Sequence, residues 1–180
     1  MKTKAKNKTY SEKKINNTSF CCIFAVSILL LTLFDRWTKI MAVSHLKGAP
    51  PVVLIKGVLE LRYLENHGAA FGMLQNRQVF FWILTMIFFC FALYFFFKVP
   101  KTTRYLPLDI SIAILTAGAA GNFIDRITLK YVIDYIYFSL IDFPVFNVAD
   151  IYVSAGVAVL IILILFFYKE EEFHFLRTGE

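Results

Sequence analysis

Residues 117–156 read AGAAGNFIDRITLKYVIDYIYFSLIDFPVFNVADIYVSAG, and the polar letters in this otherwise apolar stretch decide what kind of protein the chain makes. Asn122 and Asp125 stand three apart, as do Asn147 and Asp150, so each pair shares one face of a helix. Between them Asp134 lies in Val132-Ile133-Asp134-Tyr135-Ile136-Tyr137-Phe138, a run whose alternation reads as extended. Alternation sets Asp134 on one face with Val132, Ile136 and Phe138, so the bland alternative, an exposed loop Asp, sits badly with its neighbours. Ionisable groups at membrane depth are costly, and each is a functional hypothesis by default.

The surrounding composition supports a membrane setting. Of 180 residues, 58% are hydrophobic and only 18% charged, with a mean hydropathy of +0.63, which points to a polytopic membrane protein. The length allows one compact domain. Twenty Phe and nine Tyr suit lipid-facing surfaces and interfacial belts. The net charge of +6 gathers largely in the first fourteen residues, beside a span, so a lipid-facing orienting tail is favoured over nucleic-acid binding. Cys21, Cys22 and Cys90 are odd in number and lack metal-type spacing, which argues against disulfides and zinc. The three histidines form no HExxH motif.

In chain order, residues 1–19 form a basic cytoplasmic tail. Residues 20–43 form a first span that runs into Asp35-Arg36 with no cleavage site, which disfavours a removable signal peptide. Residues 52–55 and 58–64 read as short strands around the Lys56-Gly57 turn, and residues 65–72 as a small-residue turn. Residues 79–97 carry no charge and form the clearest span. Residues 106–127 and 144–168 are the third and fourth, with Pro144 as first helical residue, and residues 169–180 are a charged cytoplasmic tail. The expected fold is therefore a mainly α, four-transmembrane-helix bundle with a small extracytoplasmic β element. Basic residues before the first span and in the 98–104 loop place both termini in the cytoplasm and both motif-bearing connections outside. Asp35 then lies about 22 Å along its span from Phe20, and Asp125 and Asp150 fall near the same outer depth.

These groups carry different readings. Asp35 and Lys39, spaced i,i+4, make a self-neutralising pair that pins a span, a reading favoured over catalysis. For Asp125-Arg126, an interfacial anchor and a catalytic carboxylate both fit. Gly118 and Gly121 supply close backbone approach. Asp150 has no basic residue within a turn, and Asn147 is placed to donate to it. Two carboxylates in a partly desolvated site share a proton, so one acts as base on water while the other protonates a carbonyl. Peptide hydrolysis at a membrane surface follows as chemistry. The rival, a small proton-coupled transporter subunit, needs a polar track through the bilayer, whereas residues 157–167 are wholly apolar.

Five ordered blocks complete the pattern: Asp35-Arg36-Trp37-Thr38-Lys39, Asn66-His67-Gly68-Ala69-Ala70-Phe71-Gly72, Gly121-Asn122-Phe123-Ile124-Asp125-Arg126, Val132-Ile133-Asp134-Tyr135-Ile136 and Phe146-Asn147-Val148-Ala149-Asp150. On these blocks the chain resembles the lipoprotein signal peptidases (signal peptidase II), four-span aspartic peptidases of the bacterial cytoplasmic membrane. The resemblance implies cleavage before a diacylglyceryl-modified cysteine of a prolipoprotein, in contact with membrane lipids, with no metal or organic cofactor and no nucleic-acid partner. It fixes no oligomeric state and is compatible with a monomer. It implies Asp134 and Asp150 as the catalytic pair. Asn66, Asn122 and Asn147 would line or brace the site, Asp35 and Lys39 would form a structural pair, and Asp125 would hold the fold with Arg126. Tyr135 stands where Phe is more usual, and the 134–150 connection is short for the family.

Overall fold

The computed structural model describes residues 13–68, 74 and 77–176. Four helices carry the chain: α1 (Asn17–Leu46), α2 (Gln78–Lys98), α3 (Leu106–Thr128) and α4 (Val148–Ile162), the last continued by a π-helical turn over Leu163–Phe167. Each is long and apolar enough to cross a bilayer. They differ in what surrounds them. In α3, 56% of the apolar window is buried, against 11%, 11% and 17% in α1, α2 and the fourth helix. So α3 is the axis, and the outer three expose their Leu, Ile and Phe side chains as lipid-facing helices do. All three free cysteines are exposed on these outer helices.

Small residues let the helices close on α3. A Cβ on Gly118 would stand 2.6 Å from the Ala149 carbonyl oxygen, and one on Gly121 would run into the Asp35 carboxylate. Ala117 and Ala149 are fully buried at this crossing. Close approach, rather than backbone freedom, is what these positions require.

At one end of the bundle lies a three-stranded antiparallel sheet in the order β1 (Val52–Ile55), β2 (Leu59–Asn66) and β3 (Val132–Phe138). Its turn is made at Gly57, whose φ of +72° suits glycine. The inner face, with Leu61, Tyr63, Ile133 and Tyr135, packs on Ala42 and Leu46 at the end of α1. The strand expected over 58–64 starts at Leu59 and runs on through Glu65 to Asn66, because Glu65 and Asn66 pair with Ile133 and Val132. Of the turn expected over 65–72, residues 69–72 lie outside the described residues.

Three boundaries depart from expectation. The fourth helix begins at Val148, not at Pro144. Phe146 is held extended by backbone bonds to Ile136 (2.8 and 2.9 Å), and Asn147 then caps the helix. Residues 13–16 do not belong to a free tail: Lys14 bridges Thr102, and Ile15 N–H donates to the Lys101 carbonyl at 2.9 Å. Residues 170–176 are not merely a charged tail but a 3₁₀ segment docked on the bundle, where Arg104 binds Glu172 at 2.7 Å and Tyr105 donates to the Glu172 carbonyl at 2.7 Å. Residues 1–12 and 177–180, the rest of the two expected tails, lie outside the described residues.

Candidate active site

Where α3, α4 and the sheet meet, a cavity of about 470 Å³ is lined by Asn66, Asn122, Arg126, Asp134 and Asp150, with Phe143 to Phe146 along its rim. Each polar side chain is positioned by its element. Asn147, fully buried, is the N-cap of α4. Its Oδ1 accepts from Asp150 N–H (3.0 Å), while the Asp150 Oδ2 accepts from Asn147 N–H (3.0 Å). This reciprocal capping box satisfies two backbone donors and holds the Asp150 side chain at the helix mouth, where the positive end of the helix dipole favours an anion.

With its carbonyl committed to the cap, Asn147 turns its amide to the sheet. It donates to Asp134 Oδ1 at 2.7 Å and reaches Asn122 Oδ1 at 3.1 Å. The other Asp134 oxygen accepts from Asn66 at 2.8 Å, and Asn66 in turn accepts from Gly68 N–H at 3.0 Å. Asn122 donates to Asp150 Oδ1 at 2.8 Å. Both carboxylates therefore have each oxygen held by one N–H, and a lone pair on each is left for other partners. Asp134 is 1% exposed. Burial first, and then the neighbouring Asp150 carboxylate, push its pKa up to about 7, against the pull of the Asn66 and Asn147 amides.

Behind the pair lies a buried ion cluster. Lys39 Nζ sits 2.9 Å from Asp35 Oδ2 and 2.9 Å from Asp125 Oδ2, with all three side chains fully buried. Arg36 pairs with the other Asp125 oxygen. Two acids thus meet two bases. Asp35 also accepts from Ala149 N–H at 2.9 Å and Asp125 from Ile133 N–H at 3.2 Å, which ties the cluster to α4 and β3. Lys39 also donates to Asn122 Oδ1 at 2.9 Å, a bond that leaves the Asn122 amide free to face Asp150.

The expected Asp35–Lys39 pair is present. The expected partnership of Asp125 with Arg126 is not: Asp125 is held by Arg36 and Lys39 instead. Arg126 turns inward instead. It lines the cavity, lies over the Phe81 ring at 4.5 Å and points at the Gly68 and Asn122 carbonyls (3.4 and 3.5 Å). Arg36 is the cluster member that sequence reasoning missed, though an arginine inside a span itself signals a buried partner.

Fold and site together define an integral membrane protein of four spans with two carboxylates facing one cavity at one end of the bundle. The family model described as signal peptidase (SPase) II matches residues 27–166. The lipoprotein signal peptidase of Streptococcus pyogenes serotype M5 (strain Manfredo) is 38% identical over 151 residues, covering 84% of this chain and 96% of that protein. That of serotype M3 (strain MGAS315, ATCC BAA-595) is 37% identical with the same coverage. A bacterial membrane enzyme structure solved by the in meso method at 2.3 Å superposes with a TM-score of 0.76 and 30% identity, covering 95% of this chain and 99% of that one. A second, at 1.9 Å, gives 0.72 and 32%, covering 87% and 98%. The chain belongs to the signal peptidase II family, and it is a peptidase and a multi-pass bacterial membrane protein.

Proposed function

We propose that this peptidase removes the signal peptide of bacterial prolipoproteins before a diacylglyceryl-modified cysteine, with Asp134 and Asp150 as its catalytic pair. The observation that carries the reading is the shared bracing of the two carboxylates: Asn147 binds Asp134 through its side chain and Asp150 through its backbone, and both acids line one cavity. Asp134, buried beside Asp150, holds a proton up to about pH 7. The ionised partner takes a proton from a water as it attacks the scissile carbonyl carbon, while the protonated partner gives its proton to the carbonyl oxygen. Collapse of the tetrahedral intermediate then breaks the C–N bond, and a proton goes to the leaving amine of the cysteine. Asn66 and Asn122 orient the acids, and Arg126 adds a positive charge at the cavity wall.

The site lies at the extracytoplasmic face in this reading, with both termini in the cytoplasm and the lipid on the cysteine remaining in the bilayer. The support is the placement of Lys13, Lys14, Lys98 and Lys101 at the bundle end away from the sheet. The test is purified protein in proteoliposomes, given a diacylated prolipoprotein and followed by the mobility of the cleaved product. Wild-type protein cleaves it, while Asp134→Asn and Asp150→Asn, inserted normally, each lose at least about 10³-fold in turnover. Turnover surviving in either variant excludes that residue from the pair, and equal cleavage of unlipidated substrate excludes lipid-dependent recognition.

A further inference from the structure

α2 and α4 each pack on α3 but make little contact with each other, which leaves a trough between them floored by α3. The candidate site lies toward the sheet end, lined from α3 and α4. The trough's other end is an apolar cavity of about 340 Å³, lined by Phe88, Phe95, Leu115, Leu160, Phe173 and Phe175 among others. Two of these rings, Phe173 and Phe175, come from the 3₁₀ segment Glu170–Leu176. That segment lies beyond the family-matched residues 27–166, yet it is fastened: Glu172 accepts from Arg104 at 2.7 and 3.0 Å, and Phe175 stacks edge-on with Tyr105. Glu170 and Glu171 on the same turn are exposed and carry no ion pair among the described residues. They stand at a bundle end that is otherwise lined by Lys13, Lys14, Lys98 and Lys169, all exposed.

We propose that the segment Glu170–Leu176 receives the N-terminal end of the substrate's signal peptide: Phe173 and Phe175 end the apolar trough, and Glu170 and Glu171 bind the peptide's basic residues. This rests on the signal-peptidase reading above. Length and charge both support this occupant. From Asp150 to Ile164 the trough spans about 21 Å at 1.5 Å per residue. A signal peptide has an apolar core of about 7–15 residues preceded by a positively charged region. A helical core of about 14 residues therefore runs from the site to the 3₁₀ segment, and its charges arrive beside the exposed Glu170 and Glu171 carboxylates. The two cavities lie along the same helix, α4, whose Val153, Ser154 and Ala155 line the active cavity one to two turns before Leu160, which lines the apolar one. The segment thus selects both the length of the apolar core and the sign of the charge before it.

The test uses the full chain in phosphatidylcholine proteoliposomes and a synthetic signal peptide with two N-terminal lysines, 14 apolar residues and a benzophenone at the first apolar position. A second peptide carries glutamines in place of the lysines. Cleavage is followed separately on the diacylated prolipoprotein, so a wild type that binds this peptide but does not cleave that substrate removes the prolipoprotein reading and leaves this one standing. The double variant Glu170→Lys/Glu171→Lys, which keeps the Arg104–Glu172 anchor, binds the lysine peptide about three- to tenfold more weakly and the glutamine peptide unchanged. The benzophenone cross-links wild-type protein within residues 170–176 or the adjoining face of α2, a readout that does not depend on the variant folding. Equal affinity of wild type and variant for the lysine peptide, or a cross-link at α1, overturns the proposal.

Discussion

Asn147 gives its side-chain amide to Asp134 at 2.7 Å while its carbonyl oxygen caps the backbone N–H of Asp150 at 3.0 Å. One residue therefore sets the relative position of two carboxylates that come from a strand and a helix. Asn147→Ala removes both bonds. The lost cap costs about 1 kcal/mol of stability, and the displaced carboxylates lower turnover by about 10²-fold, the scale on which a misplacement of about 1 Å acts. Asn147→Ser keeps a capping oxygen but withdraws the amide from Asp134, so activity falls as far while the melting temperature changes less. Thermal unfolding in detergent and peptide turnover, measured on the same preparations, separate the two effects.

Lys39 neutralises Asp35 and Asp125 at once and also fixes the Asn122 amide. Lys39→Met strands the fully buried Asp35, while Asp125 keeps Arg36, and breaking a buried pair in this way costs about 3–5 kcal/mol. Adding Asp35→Asn to Lys39→Met removes the stranded charge and recovers part of that loss. A double-mutant cycle read by unfolding reports the coupling, and additive losses would show that the cluster does not act as a unit.

What could be read from the chain alone was what local spacing controls. The charge-free run over 79–97 became α2 to within a residue at each end, and the i,i+4 spacing of Asp35 and Lys39 gave their ion pair. The alternation around Asp134 gave β3. What misled was proximity in sequence. Arg126 is next to Asp125, yet successive helical residues point about 100° apart, and Arg36, 89 residues away, takes the contact across α1 and α3. The start of α4 moved for a similar reason: the bridge from Phe146 to Ile136 overrides the preference of Pro144 for a first helical turn. Docking of residues 170–176 depends on Arg104, 68 residues before Glu172, and no local pattern announces it. Of the candidate pair, Asp150 was legible from its isolation in a span, whereas Asp134 owed its prominence mainly to the family resemblance.

Gly121 meets the Asp35 carboxylate across the α1–α3 crossing, and Gly118 meets the backbone of Ala149. Gly121→Ala forces a methyl group against a carboxylate that is also bound by Lys39 and Ala149 N–H, so the helices must separate or the cluster must break. Overpacking of this kind costs about 1–3 kcal/mol. Turnover falls with it, because the same shift moves α4 and Asp150. Gly48→Ala is the control: its φ of +76° is strained for alanine, but a Cβ there meets nothing within 4 Å. It loses about 1 kcal/mol and leaves turnover per folded molecule unchanged.

Asp134 holds its proton up to about pH 7, whereas the same carboxyl in the unfolded chain releases it near its ordinary 3.8. Between about pH 4 and 7 the folded protein therefore binds more protons than the unfolded one at this residue. The Asp134 contribution to stability falls as pH rises through that window and is level above it. Asp134→Asn removes this slope, so the melting temperature of the variant changes less between pH 4.5 and 7.5 than that of the wild type. The same titration governs activity, because a pair sharing one proton loses it as pH passes about 7. Turnover of the wild type declines on that alkaline side, with a limb that tracks the Asp134 titration followed by carboxyl infrared absorption. Activity still rising through pH 9 would mean that the working form of the pair carries no proton, and it would remove the acid role from Asp134.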